Sequence, residues 1–294
     1  MGVLGREDRD FPQAIKNICP EIGKLWWKGS WENEMFERCV AIVGSRRMSE
    51  YGRQVIRTIV PRLVRAGVTI ISGFMYGADQ EVHRCCLDKG GKTIAVLAWG
   101  IDKKVSSLDE RLYQQILDSE GLFLSEHEGE TGALPAYFVL RNRIVTALSQ
   151  AVIVVEGAVG SGSMTTANWA LKQGKLLYAV PGSINTKVNE GTNRLIKEGK
   201  ARMLLNVEEV IDEMGWGSRV PLFPLRELDQ ERIALVMGRG KWSIDEIVSR
   251  TGMAVEEVSQ VITLWDIEGK VKEKEGRYKL RERKVDSRGK NQDT

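Results

Sequence analysis

From residue 39 onward, short apolar runs alternate with longer stretches whose apolar positions recur at helical spacing. The runs occupy residues 40–43, 68–71, 93–97, 122–124, 152–155, 176–180 and 203–205. Each is rich in β-branched residues, leads into glycine, serine or an acidic residue, and is followed by a helical pattern. Runs that are apolar at every position, rather than at every second one, belong to strands buried on both faces. The pattern therefore predicts an α/β domain over residues 39–214, a doubly wound, mostly parallel sheet of about seven strands. Right-handed crossovers then bring the strand-to-helix loops to one edge of that sheet.

Residues 1–38 carry weak periodicity around Trp26, Trp27 and Trp31 and read as a lead-in packed on the core. Residues 215–227 read as a linker, because Gly215, Gly217, Pro221 and Pro224 interrupt both periods. Beyond it, helices are predicted over 228–237, 243–250 and 255–268, the second with Ser243 as N-cap and Glu246 at the capping-box position. Strands over 270–273 and 277–280 flank a Glu275-Gly276 turn, which completes a winged-helix pattern over 228–280. The polar tail, 281–294, is expected to be disordered.

Composition narrows the classes. The chain has 294 residues, of which 42% are hydrophobic and 28% charged, enough to bury a sizeable core. Forty-three Lys and Arg against 40 Asp and Glu leave a net charge of only +3, so polyanion binding must come from a local patch. No uncharged apolar run is long enough to suggest a membrane span, and the first ten residues lack the apolar core of a signal peptide. The four cysteines show no CxxC spacing and fit free thiols of a reducing cytoplasm.

Several loops at the predicted sheet edge suit an anion. Gly44, Ser45 and Arg46 leave the first strand and enter a helix, a glycine permitting close backbone approach and the arginine adding a forked cation. A second loop runs from Ser72 and Gly73 through Phe74 and Tyr76 to Gly77, with aromatics that can pack or stack on a base. Asp79 and His83 behind it share a helical face, where a structural pair is favoured over an incomplete metal site. A third, Ser161, Gly162 and Ser163, crowds small and hydroxyl residues at a helix start. It fails as a Walker A loop, since the lysine position holds Gly162. Arg141, Asn142 and Arg143 lie on one helix, the two arginines about 200° apart, so one can face the loop edge while the other braces the structure. The loop after Pro181-Gly182-Ser183 is expected to reach a helix start at Gly191-Thr192-Asn193. The convergence favours a phosphate-rich ligand over acid–base or nucleophilic catalysis.

The chain resembles the DNA-processing protein A family, also called DprA or Smf. The matching strings are Val40-Ala41-Ile42-Val43-Gly44-Ser45-Arg46, Ser72-Gly73 through Gly77-Ala78-Asp79, Phe138-x-x-Arg141-Asn142-Arg143-Ile144, Ser161-Gly162-Ser163 and Ala179-Val180-Pro181-Gly182, in the family's order. The resemblance implies a Rossmann-like core that binds single-stranded DNA in a positively charged pocket, dimerises, and helps load RecA recombinase onto incoming DNA during natural transformation. It implies no cofactor. By position, Gly44, Ser45 and Arg46 would contact phosphate, with Ser72, Gly73, Arg141, Asn142, Arg143, Ser161, Gly162 and Ser163 lining the pocket. The sequence departs from the family at Lys104-Val105-Ser106-Ser107, where a Tyr-Pro pair is usual.

Two other readings compete. A nucleotide-metabolising enzyme would need a placed carboxylate, for which Glu126 and Glu156 are the candidates. A transcription factor would rest on the winged helix, but residues 225–280 hold ten basic and eleven acidic residues, and the third helix carries Glu256, Glu257, Asp266 and Glu268 before any cation. A groove-reading helix presents Arg, Lys, Asn or Gln, so a protein-contact or regulatory module is favoured there.

Overall fold

The computed structural model describes residues 1–216, 227–238, 240–274 and 276–281, and the chain divides into two compact units, Met1–Gly217 and Ser218–Thr294. In the first unit, β1 (Gly2–Gly5), α1 (Gln13–Lys16) and β2 (Lys24–Gly29) precede the alternating core. The core runs β3 (Cys39–Val43), α2 (Glu50–Arg65), β4 (Thr69–Ser72), α3 (Ala78–Leu87), β5 (Thr93–Val96), α4 (Glu110–Asp118) and β6 (Leu122–Ser125). It continues through α5 (Pro135–Ala147), β7 (Ala151–Val154), α6 (Gly162–Lys172), β8 (Leu176–Ala179), α7 (Lys187–Lys197), β9 (Arg202–Met203) and α8 (Glu208–Glu213).

The strands form one sheet of nine in the order β1-β2-β6-β5-β4-β3-β7-β8-β9, parallel from β6 to β9, with β2 antiparallel to both β6 and β1. The seven predicted strands are all present. The two further strands come from the lead-in, where Trp26, Trp27 and Lys28 pair with Ser125, Leu124 and Phe123. Their half-buried, mixed sequence lacks the continuous apolar signature of the inner strands.

Every residue of β3 is buried, and its side chains alternate between two layers. Val40 and Ile42 join Ile56 and Leu63 of α2, while Cys39, Ala41 and Val43 join Ile144 and Leu148 around α5. Cys39, Cys85 and Cys86 are buried and Cys19 is exposed, all four as free thiols. Ser49 caps α2 by accepting from the Gly52 amide at 3.1 Å, as an N-cap serine does. The expected helix start at Gly191 is displaced: α7 begins at Lys187, and Gly191 lies inside it with its amide on the Gly157 carbonyl at 2.8 Å. A β-carbon there would fall 2.4 Å from that carbonyl, so the glycine serves close packing rather than a turn.

The connection from β3 leads to β4 on one side, and that from β7 leads to β8 on the other. Between these two neighbours the chain order reverses, and the loops leaving them diverge to open a crevice at the carboxyl ends of the strands.

The second unit comprises α9 (Glu227–Met237), α10 (Ile244–Thr251), α11 (Val255–Ile267), β10 (Val271–Lys274) and β11 (Arg277–Leu280). Ser243 and Glu246 form the expected capping box, with bonds of 2.9 and 3.2 Å. Ile233, Met237, Ile247, Val258, Ile262, Trp265 and Val271 close its own apolar core. Linker residues 217–226 and tail residues 282–294 lie outside the described residues. Among the described residues, no helix is long and apolar enough to cross a membrane.

Candidate functional site

The crevice holds a cavity of about 840 Å³. Its walls come from the loop after β3 (Gly44, Ser45, Arg46, Arg47), the loop after β4 with the first turn of α3 (Gly73, Met75, Tyr76, Asp79), the first half of α5 (Phe138, Arg141, Asn142) and the start of α6 (Ser161, Gly162, Ser163). Four segments far apart in sequence therefore meet at one sheet edge.

The first two loops lock together through Gly77. This residue has φ of +89°, and a β-carbon on it would stand 2.6 Å from the Ser45 carbonyl oxygen. The next amide, of Ala78, donates to the Ser45 carbonyl at 3.1 Å. The lock leaves Arg46 exposed, with its guanidinium 5.2 Å from the Phe138 ring and 6.0 Å from the Tyr76 ring. Both distances are within cation–π range. Among the described residues Arg46 has no carboxylate partner. Phe74 is buried against Tyr113 and Phe123, whereas Tyr76 stands 57% exposed at the rim.

Arg141 forms the cavity floor. It is only 4% exposed and donates through Nη1 to the Val96 carbonyl, while its Nε has no partner in the structure. Asp79 lies beside it, accepting from the Met75 amide at 3.3 Å. Burial pushes the Asp79 carboxyl above its ordinary range and Arg141 opposes the rise; burial likewise pulls Arg141 down against the attraction of Asp79. Gly73 admits both groups, since a β-carbon there would fall 2.2 Å from Arg141 Nη1 and 2.3 Å from Asp79 Oδ2. The Gly73 carbonyl meets His83 Nε2 at 2.6 Å, and His83 Nδ1 meets Thr93 Oγ1 at 2.7 Å. Burial lowers His83 to about 4, so the imidazole is neutral and structural. The expected Asp79–His83 pair is replaced by these separate partners.

Two predicted lining residues are not on the wall. Arg143 points away from the cavity: Nη1 and Nη2 each meet a Glu126 carboxylate oxygen at 2.7 Å, and Nε donates to the Pro20 carbonyl at 3.0 Å. It braces the structure, the role that helical geometry left open to one of the two arginines. The Ser72 hydroxyl is fully buried and donates to the Ile42 carbonyl at 2.7 Å, satisfying a polar group between β3 and β4. Ser161 and Ser163 share a 2.8 Å hydroxyl bond at the α6 start, and Asn142 Nδ2 reaches the Gly162 carbonyl at 3.4 Å. Wall residues outside the predicted set include Phe138, Asp79 and the cations Arg47 and Lys187. Phe138 stands three positions before Arg141, which places both on one face of α5; that spacing could have flagged it.

Neither candidate carboxylate is presented to a ligand. Glu126 is taken up by Arg143, and buried Glu156 accepts from the Ser49 amide at 2.9 Å and from the Ser49 hydroxyl.

The family described as DNA recombination-mediator protein A matches residues 2–215, and the DprA winged helix domain matches residues 221–277. Protein Smf of Escherichia coli is 35% identical over 230 residues, covering 74% of this chain and 61% of the relative. DNA processing protein DprA of Streptococcus pneumoniae is 34% identical over 206 residues, covering 70% and 72%. The X-ray structure of the S. pneumoniae protein superposes with a TM-score of 0.67 at 31% identity, covering 72% of this chain and 74% of that one. DNA processing protein A from Helicobacter pylori, studied for its single-stranded DNA binding mode, superposes with a TM-score of 0.63 at 30% identity, covering 69% and 92%. With its core and its winged helix both matched in sequence, and the core in structure, this chain belongs to the DNA-processing protein A (DprA/Smf) family.

Proposed function

We propose that the cavity binds single-stranded DNA, and that the protein protects incoming strands and assists loading of RecA recombinase in natural transformation and recombination. It acts in the cytoplasm as a non-catalytic homodimer. One observation carries the DNA reading: Arg46, exposed and without a carboxylate partner among the described residues, sits between two aromatic rings above a buried arginine. A cation that grips phosphate beside faces that stack on bases is the combination single strands require. The backbone of the loop at residues 44–47 and the α6 N-terminus supply further anion contacts. The family's single-stranded DNA binder from H. pylori supports the same assignment. The engagement of Glu126 and Glu156 weighs against a nucleotide-metabolising enzyme.

The test is fluorescence anisotropy of a labelled dT length series at two salt concentrations, with wild type and Arg46→Ala. Affinity should rise with length, fall with salt, and drop about tenfold to a hundredfold in the variant. Saturation at a mononucleotide would instead indicate an enzyme pocket. RecA loading is read separately, as strand exchange on DNA precoated with a single-strand-binding protein, with and without this protein.

A further inference from the structure

The winged-helix unit carries a cationic sheet face, most of whose charges lack a carboxylate partner among the described residues. In the hairpin, Lys272 stands directly opposite Lys279, and Lys274 opposite Arg277. The alternate pairs, Val271 with Leu280 and Glu273 with Tyr278, turn the other way, and Val271, Tyr278 and Leu280 pack on the helical core. Trp242 bridges Tyr278 in antiparallel fashion, with bonds of 3.0 and 2.8 Å. Continuing that register by one residue sets Lys241 level with Lys279. The outward face is thus a row of four lysines and one arginine, all exposed.

Like charges placed directly opposite on adjacent strands repel and destabilise the hairpin. Elsewhere the chain matches many of its cations: Arg53 and Arg57 with Glu81, Arg62 with Glu208, and Arg202 with Glu213. Here only Arg277 finds a carboxylate, Glu246 at 2.9 Å; among the described residues Lys241, Lys272, Lys274 and Lys279 have none. Glu273, the acid of this hairpin among the described residues, faces the other way and accepts from the Gly276 amide at 2.7 Å. A face that gathers cations against its own stability fits a polyanion as the missing counter-charge.

We propose that this face grips the sugar–phosphate backbone of DNA without reading sequence. Lysines act as point charges on phosphate and lack the fork that reads guanine edges. The helix α11, which would enter a groove in a sequence reader, presents Glu257 and Asp266 instead. The wing rather than the helix is therefore the DNA contact, in place of the protein-contact role suggested by net charge alone. This site is separate from the cavity and does not depend on the function proposed for it.

The experiment uses the full chain, comparing wild type, the triple variant Lys272→Ala/Lys274→Ala/Lys279→Ala, the corresponding triple Lys→Arg variant, and Arg46→Ala. Binding to a 40-base-pair duplex, a dT 40-mer and a dT hexamer is measured across a salt series. Losing three phosphate contacts should flatten the log–log salt slope by about 2.7 on duplex or about 2.1 on single strand, and the Lys→Arg variant should restore it. The duplex and 40-mer arms tell which form supplies the backbone. Hexamer binding should be unchanged in the wing variants and lost in Arg46→Ala, which separates failure here from failure of the cavity reading. Lys279→Glu should weaken 40-mer or duplex binding while the melting temperature holds or rises, because it replaces a repulsive pair with an attractive one. Unchanged slopes on both long DNAs in the alanine variant would overturn the proposal.

Discussion

Replacing Arg143 by methionine tests whether the two arginines of α5 divide their work as the geometry states. The Arg143 guanidinium is fully buried and clasps Glu126 through two 2.7 Å bonds, with two further bonds to the carbonyls of Pro20 and Leu140. Methionine keeps the apolar stem but leaves the Glu126 carboxylate, 15% exposed, without its cation. Breaking one side of a buried pair costs about 3–5 kcal/mol. For a unit of this size each kcal/mol moves the melting temperature by about 2–4 °C, so the variant should melt roughly 6–20 °C lower. The double variant Arg143→Met/Glu126→Leu should recover much of that loss, since both charges are then gone. Calorimetry gives the stabilities, and dT anisotropy well below each transition gives the affinities. Folded Arg143→Met should bind dT as wild type does, while Arg46→Ala keeps its melting temperature and loses binding. The reasoning fails if Arg143→Met melts like wild type and loses dT affinity, for then its guanidinium faces the ligand.

Three further outcomes follow from the same geometry. The unfolded chain protonates His83 near 6.5 and the folded one only near 4, so its stabilisation is complete above the first value and is lost as pH falls toward the second. The loss approaches about 3 kcal/mol, read as a falling urea midpoint between pH 7 and 4.5, and His83→Gln should flatten that component. Gly73→Ala forces a β-carbon to within 2.3 Å of both Arg141 and Asp79; it should cost about 1–3 kcal/mol by denaturant titration and weaken dT binding by pushing the floor groups aside. Glu156→Gln should lower stability by about 1–3 kcal/mol through its bonds to Ser49 while leaving dT affinity intact; a large affinity loss at unchanged stability would return Glu156 to the functional site.

The inner strands were legible because each is buried on both faces and must be apolar throughout, a local property of the sequence. The strands β1 and β2 were not, because Trp26, Trp27 and Lys28 of β2 are dictated by pairing with a strand almost a hundred residues away, and β1 pairs only on β2. The same divide runs through the site. Helical geometry states that Arg141 and Arg143 point apart, yet which one faces the cavity is decided by Glu126 and Pro20, contacts that local sequence does not encode. Ser72 precedes Gly73 and reads in sequence as part of a loop typical of anion sites, and only its place at the end of β4 beside β3 reveals that its hydroxyl is claimed by the Ile42 carbonyl. Charge counting over the winged helix likewise returned near neutrality, because the hairpin register, not composition, sorts its lysines onto one face.

The floor and the rim of the cavity have different electrical roles. Arg141 lies beside Asp79, which draws on its charge, and both are held by the backbone, through Val96 and Met75. Such a fixed, nearly balanced pair orients a ligand through directed donors while adding little to the long-range field. Arg46 has no such balance: it is exposed, flanked by rings, and free of carboxylates among the described residues. The salt dependence of cavity binding should therefore come chiefly from this cation together with Arg47 and Lys187, the other exposed cations on the wall, and amount to a slope of about 2 for a short single strand. Stacking on Phe138 and Tyr76 then has to supply the remaining affinity, at about 1–3 kcal/mol per base. A steeper slope on long DNA must arise elsewhere on the chain, and the uncompensated lysines of the hairpin are the cations placed to produce it.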